Sequence, residues 1–325
     1  MKNTKIVNIR ALAIILVVLG HSIILYSSQW DLYETINQVP ILDNMKRIFD
    51  IIQMALFFSI SGFLFYYSKN KRINFFTFFK NKFFRLLIPY ICISVAWMIP
   101  IRLLVGYSGY QDTPIKKVFF NSIFYGIDCG HLWFLPTLFL IFVEMYFLTY
   151  FTSKVSSNKL IDILLFLVLT LLSMIYNNIP NFVPFTSKSA EFLIWFYMGY
   201  LLNKYKDDLL KLNKFKYFQC ILLIFCIIYW WNYGGVVSAF LTKILMILNI
   251  YTFIPSKSNK WVEIISDNSF GIYLFHSPLI YITFSMIPNL SPILIVTLNF
   301  IVFGGVSLIM SLAIKKTKFK FIIGE

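Results

Sequence analysis

The sequence predicts an all-α, polytopic integral membrane protein of about ten transmembrane helices, with the N- and C-termini cytoplasmic. Three observations predict it. The chain has 325 residues, of which 59% are hydrophobic and only 13% charged, and its mean hydropathy is +0.75. A soluble core of this size cannot hide so much apolar surface, so lipid covers part of it. The apolar residues also fall into runs near the length of about 20 residues that a membrane-spanning helix needs. Finally, Lys and Arg alternate between loops as orientation in a bilayer requires.

The runs, in order, are Ile9–Tyr26, Ile48–Tyr67, Phe83–Val105, Leu132–Phe151, Leu160–Tyr176, Ala190–Asn203, Tyr217–Tyr233, Val236–Ile254, Ser269–Ile287 and Ser291–Ile314. The sixth is short, and Val118–Ile127 is a candidate partial or re-entrant element. The first run follows Lys2 and Lys5 and so imitates a signal peptide, but no clean cleavage site follows it, and it contains Arg10 and His21. It is expected to stay as the first helix. No hydrophilic stretch approaches domain size, so residues 1–325 are expected to form a single membrane-embedded domain.

With the N-terminus inside, 22 of the 29 Lys and Arg residues fall in inside segments, Lys71, Arg72 and Lys211 among them. The outside loops hold 5, namely Lys46, Arg47, Lys116, Lys117 and Lys188, and Arg102 and Lys243 lie within spans. An odd number of spans would break this alternation. The net charge of +15 is thus a topology signal, and no basic stripe interleaved with aromatics points to nucleic acid. Cys92, Cys129, Cys220 and Cys226 show neither metal-ligand spacing nor a disulfide framework.

Ionisable groups inside a membrane are costly and mark function by default. Arg10 and His21 stand eleven residues apart, about 16 Å of helix rise and three turns plus roughly 20°, so they share one face. That face offers a fixed cation at the cytoplasmic rim and a titratable base deeper in the bilayer. A structural role fits the same spacing, with Arg10 snorkelling and His21 packing between helices. Lys82 and Arg85 are i, i+3 neighbours at the cytoplasmic start of the third run and suit the phosphates of a nucleotide or coenzyme; anionic lipid would attract them too. His131 and Trp133 sit where an interfacial anchor is expected. Glu144, about three turns further in, needs a partner or a water-filled cavity. His276 is expected to be a buried, hydrogen-bonded structural residue, the alternative being that it lines a cavity.

These residues resemble the acyltransferase 3 family of membrane acyltransferases. Arg10-(ten residues)-His21 is similar to that family's R-x10-H motif, and Phe57-Phe58-Ser59-Ile60-Ser61-Gly62-Phe63-Leu64 resembles its FF-x-x-SGF segment. Lys82-x-x-Arg85 before Pro89-Tyr90 resembles its R-x-x-R segment, with Lys in place of the first Arg. Ser269 to His276 resembles its late S-x-x-IYL-x-H segment. The four occur in family order.

The resemblance implies a ten-helix enzyme in the plasma membrane, the inner membrane of a bacterium. It implies an acyl group, usually acetyl, taken from cytoplasmic acyl-CoA and passed to a hydroxyl of a cell-surface glycan or its lipid-linked precursor. It places this chain with the stand-alone sugar O-acetylases, without an extracytoplasmic hydrolase domain. The implied donor site is Arg10, Lys82 and Arg85, and no metal is implied. His21 would be the general base or carry the acyl group itself, with Arg10 on the same face and Glu144 orienting a histidine or lining the tunnel. The rival expectation is a transporter or flippase of a lipid-linked saccharide. Against it, no two halves carry matching interrupted helices.

Overall fold

The computed structural model describes residues 3–28, 38–69, 74–154, 159–176, 184–208, 213–287 and 289–325. Lys2, Lys71, Arg72 and Lys211, counted above among the inside charges, lie outside the described residues. Among those described, every regular element is a helix and no strand occurs. Six stretches are long and apolar enough to cross a membrane: Thr4–Ser22, Pro40–Ser68, Phe75–Leu104, Ile115–Ser153, Val236–Phe253 and Pro292–Lys315.

In chain order, α1 is Thr4–Ser22, α2 Pro40–Lys69 and α3 Phe75–Leu104. The short α4, Ile115–Phe120, is the partial element expected near Val118. It runs through a π-helical turn to Tyr125 and breaks at Gly126, Asp128 and Gly130, all with positive φ. Then come α5 (Phe134–Lys154), α6 (Lys159–Met174), α7 (Thr186–Lys204), α8 (Lys216–Tyr233) and α9 (Val236–Phe253). The last are α10 (Lys260–Asp267), α11 (Ser269–Met286) and α12 (Pro292–Lys315).

Four expected spans are absent from the six, for identifiable reasons. Helix α6 has only 16 residues. Helix α7 is longer than its apolar run but holds Lys188, Glu191 and Lys204. Polar residues dilute α8 (Lys216, Gln219, Asn232) and α11 (His276, its serines and Pro278).

Prolines shape α3. A proline lacks an N–H and its ring crowds the carbonyl four residues back. Pro89 and Pro100 each follow a π-helical turn, Phe83–Leu87 and Ser94–Met98, which absorbs that conflict at Arg85 and Ala96. The helix therefore continues through both prolines and begins eight residues before the apolar run.

The core centres on the crossing of α2 and α7. A Cβ on Gly62 would run into the carbonyl of Phe196, and one on Gly199 into the carbonyl of Ser59. Two glycines thus let the backbones touch, the small-residue device of membrane helix pairs. Around them pack Phe58, Phe65, Trp195 and Phe196, all buried. Helix α8 contributes no buried residue and lies at the periphery.

Candidate active site

Helix α1 links two features. At its start, Arg10 faces a cavity of about 350 Å³ that Lys82 and Arg85 of α3 also line. The Lys82 ammonium lies 3.6 Å from the centroid of the Phe142 ring, so its charge rests on an aromatic face inside the cavity. Asp267 and Glu325 line the same space, and Glu325 pairs with Lys315 at 2.7 Å. The far wall is apolar and aromatic: Phe57, Phe134 and Tyr273.

At the other end of α1, all three histidines of the chain converge. The helix ends at Ser22, four residues before the end of the apolar run at Tyr26, so His21 occupies its last turn. The ring centroids of His21 and His276 are 5.0 Å apart, those of His131 and His276 5.4 Å, and those of His21 and His131 6.4 Å. His131 and His276 are buried, whereas His21 is partly exposed. Among the described residues no group of three His, Cys, Asp or Glu side chains has metal-holding geometry.

The partners fix the protons. His276 Nδ1 lies 2.9 Å from the Ile272 carbonyl and 2.8 Å from that of Tyr273. Carbonyls only accept, so in the neutral ring Nδ1 carries the hydrogen and Nε2 keeps its lone pair. His276 Nε2 is 2.8 Å from His21 Nδ1, which therefore donates to it. The outcome is a His21 ring whose Nε2 is the bare, basic nitrogen.

Backbone chemistry builds this arrangement. Pro278 sits inside α11 and cannot donate to the carbonyl of Leu274, four residues back. His131 Nε2 fills the gap, donating to that carbonyl at 3.2 Å. Tyr273 donates its hydroxyl to the His131 carbonyl, and its ring is 5.4 Å from the His131 ring. Tyr273 also lines the cavity, so it partitions the cavity from the histidines. The turn that carries His131 is held by Arg102, 1% exposed, which donates to the Asp128 carbonyl at 2.8 Å and to Tyr281 of α11 at 2.9 Å.

The profile of an acyltransferase-domain family matches residues 3–315. The chain belongs to the acyltransferase 3 family. No curated protein and no solved structure matches it.

As a membrane acyltransferase, the protein needs a donor site, an acceptor hydroxyl and a group to take that hydroxyl's proton. Arg10, Lys82 and Arg85 share one cavity, and His21 is not among the residues that line it. Glu144 is brought to neither. It accepts a hydrogen bond from Ser189 of α7 at 2.8 Å, its second oxygen has no partner, and no contact joins it to a histidine among the described residues. The reason is rotational. Phe134, Leu138 and Phe142 mark the cavity face of α5, and Glu144, two residues past Phe142, is turned about 200° away. His276 is buried and hydrogen-bonded, as expected, with His21 among its partners, and His131, expected to be an interfacial anchor, is buried beside both.

Proposed function

We propose that the protein is a ten-span O-acyltransferase of a bacterial plasma membrane, with both termini cytoplasmic. It takes an acyl group, acetyl in the first instance, from cytoplasmic acyl-CoA. It delivers that group to a hydroxyl of a cell-surface glycan or its lipid-linked precursor. The observation that carries this reading is the 2.8 Å His21–His276 contact. It leaves His21 with a free basic nitrogen at one end of a helix whose other end meets a cationic cavity.

In this reading Arg10, Lys82 and Arg85 hold the phosphates of the donor, as paired or clustered cations do. Lys82 contributes charge without the planar fork of an arginine. The acyl arm runs along α1, past the Tyr273 ring, over the roughly 16 Å between Arg10 and His21. His21 Nε2 takes the proton of the acceptor hydroxyl as its oxygen attacks the thioester carbonyl. The new carbon–oxygen bond replaces the carbon–sulfur bond, and the departing thiolate takes the proton back from His21. His276 holds His21 in the required tautomer and spreads the positive charge that forms on it.

The test is direct. Protein purified into lipid, given acetyl-CoA and the candidate glycan, releases free CoA and yields acetylated glycan in equal amounts. A flippase moves the lipid-linked sugar and releases no CoA; that outcome would replace this reading.

A further inference from the structure

Helix α11 begins at Ser269 without a side-chain cap. Asn268 stands at the capping position, but its side chain is used elsewhere. Its oxygen accepts from Ser311 at 2.9 Å and its nitrogen donates to the Ile264 carbonyl at 2.8 Å. The first amides of a helix have no partner within it, and a cap ordinarily satisfies one of them. The first hydrogen bond of α11 runs from the Ile272 N–H to the Asn268 carbonyl at 2.9 Å, so the N–H groups of Ser269, Phe270 and Gly271 come before it, and no side-chain cap serves them. Ser269 and Phe270 line the cationic cavity.

A second, independent observation points to the same place. Ser266, 1% exposed, lines that cavity, and its hydroxyl has no hydrogen-bond partner. A buried hydroxyl without a partner is costly, and a ligand atom placed against it removes the cost. Helix amino-termini favour anions, because their amides point outward and the helix dipole is positive there. Arg10, Lys82 and Arg85 face the same space and outnumber the two carboxylates, of which Glu325 is already paired.

We propose that the amino-terminal turn of α11, together with Ser266, seats a phosphate group in this cavity. The Ser266 hydroxyl and the Ser269 and Phe270 amides donate to its oxygens, while Arg10, Lys82 and Arg85 balance its charge. The inference rests on the acyl-CoA reading for the source of that phosphate, although an anionic lipid headgroup carries the same chemistry.

The experiment measures binding of coenzyme A and of inorganic diphosphate to the full chain in zwitterionic nanodiscs, repeated with anionic phospholipid. Ser266→Ala removes only an oxygen that has no partner and is expected to weaken both ligands at least about tenfold, the size of one charge-assisted hydrogen bond. Ser266→Thr keeps the hydroxyl and is expected to stay within about threefold of wild type, under half the energy of one such bond. If Ser266→Ala binds coenzyme A and diphosphate as the wild type does, the seat is overturned and the donor reading stands. If the wild type binds diphosphate in a Ser266-dependent manner but not coenzyme A, the seat stands and the donor reading falls. Ser266-dependent binding lost only in anionic nanodiscs assigns the seat to a lipid headgroup.

Discussion

Replacing His276 with leucine removes the nitrogen that accepts from His21 Nδ1 at 2.8 Å and leaves the ring volume roughly filled. The His21 N–H then has no acceptor. An unpartnered buried donor costs about 1–3 kcal/mol, which lowers the share of correctly held His21 by roughly 5- to 150-fold. A His21 ring that escapes this cost by moving its proton to Nε2 has its lone pair at Nδ1 instead of at the nitrogen assigned to the acceptor, and the loss then approaches the full general-base contribution of about 10²–10⁴. His276→Leu should therefore lower kcat at least about fivefold. The donor KM should stay unchanged, because Arg10, Lys82 and Arg85 lie in the cavity on the other side of Tyr273. His276→Gln offers a side-chain oxygen to His21 Nδ1 and should recover part of the loss. The assay is acyl transfer per mole of purified, monodisperse protein across donor concentrations. His276→Leu turnover within about threefold of wild type, below even the smallest loss expected, would refute the reasoning.

Arg85→Ala should raise the acyl-CoA KM by about 10- to 150-fold with a smaller change in kcat, the worth of a charge-assisted phosphate contact; an unchanged KM with normal insertion would make Arg85 a topology signal. Gly62→Ala and Gly199→Ala should each lower the melting temperature and the yield of monodisperse protein, because the added methyl meets a backbone carbonyl of the facing helix. A cysteine at Lys116 should react with an impermeant thiol reagent in intact cells and one at Lys257 should not; the reverse pattern would invert the proposed orientation.

Much of the site was legible in the sequence, because helical periodicity is local. Eleven residues place Arg10 and His21 on one face, and the three-residue step from Lys82 to Arg85 brings both to one cavity. Gly62, met only as part of a motif, turned out to be where α2 touches α7. The histidine cluster was not legible. Its members stand 110 to 255 positions apart, and periodicity assigns faces without assigning partners. Two signals were present nonetheless: the chain holds only three histidines, each beside or within an apolar run, and Pro278 marks Leu274 as a carbonyl in need of a donor. The surroundings of Glu144 were not legible, because its partner, Ser189, which donates to one of its oxygens, lies on another helix. The extent of α7 was underestimated because Lys188 ends the apolar run without ending the helix.

Turnover of His21→Gln, per mole of monodisperse protein with donor binding measured on the same sample, tests the central claim most directly. Glutamine keeps the size and hydrogen bonding of histidine but takes no proton near neutral pH. The account predicts unchanged donor affinity and a loss of transfer of about 10²-fold or more. Retention of more than about a tenth of wild-type turnover, less loss than any general base should show, would contradict it.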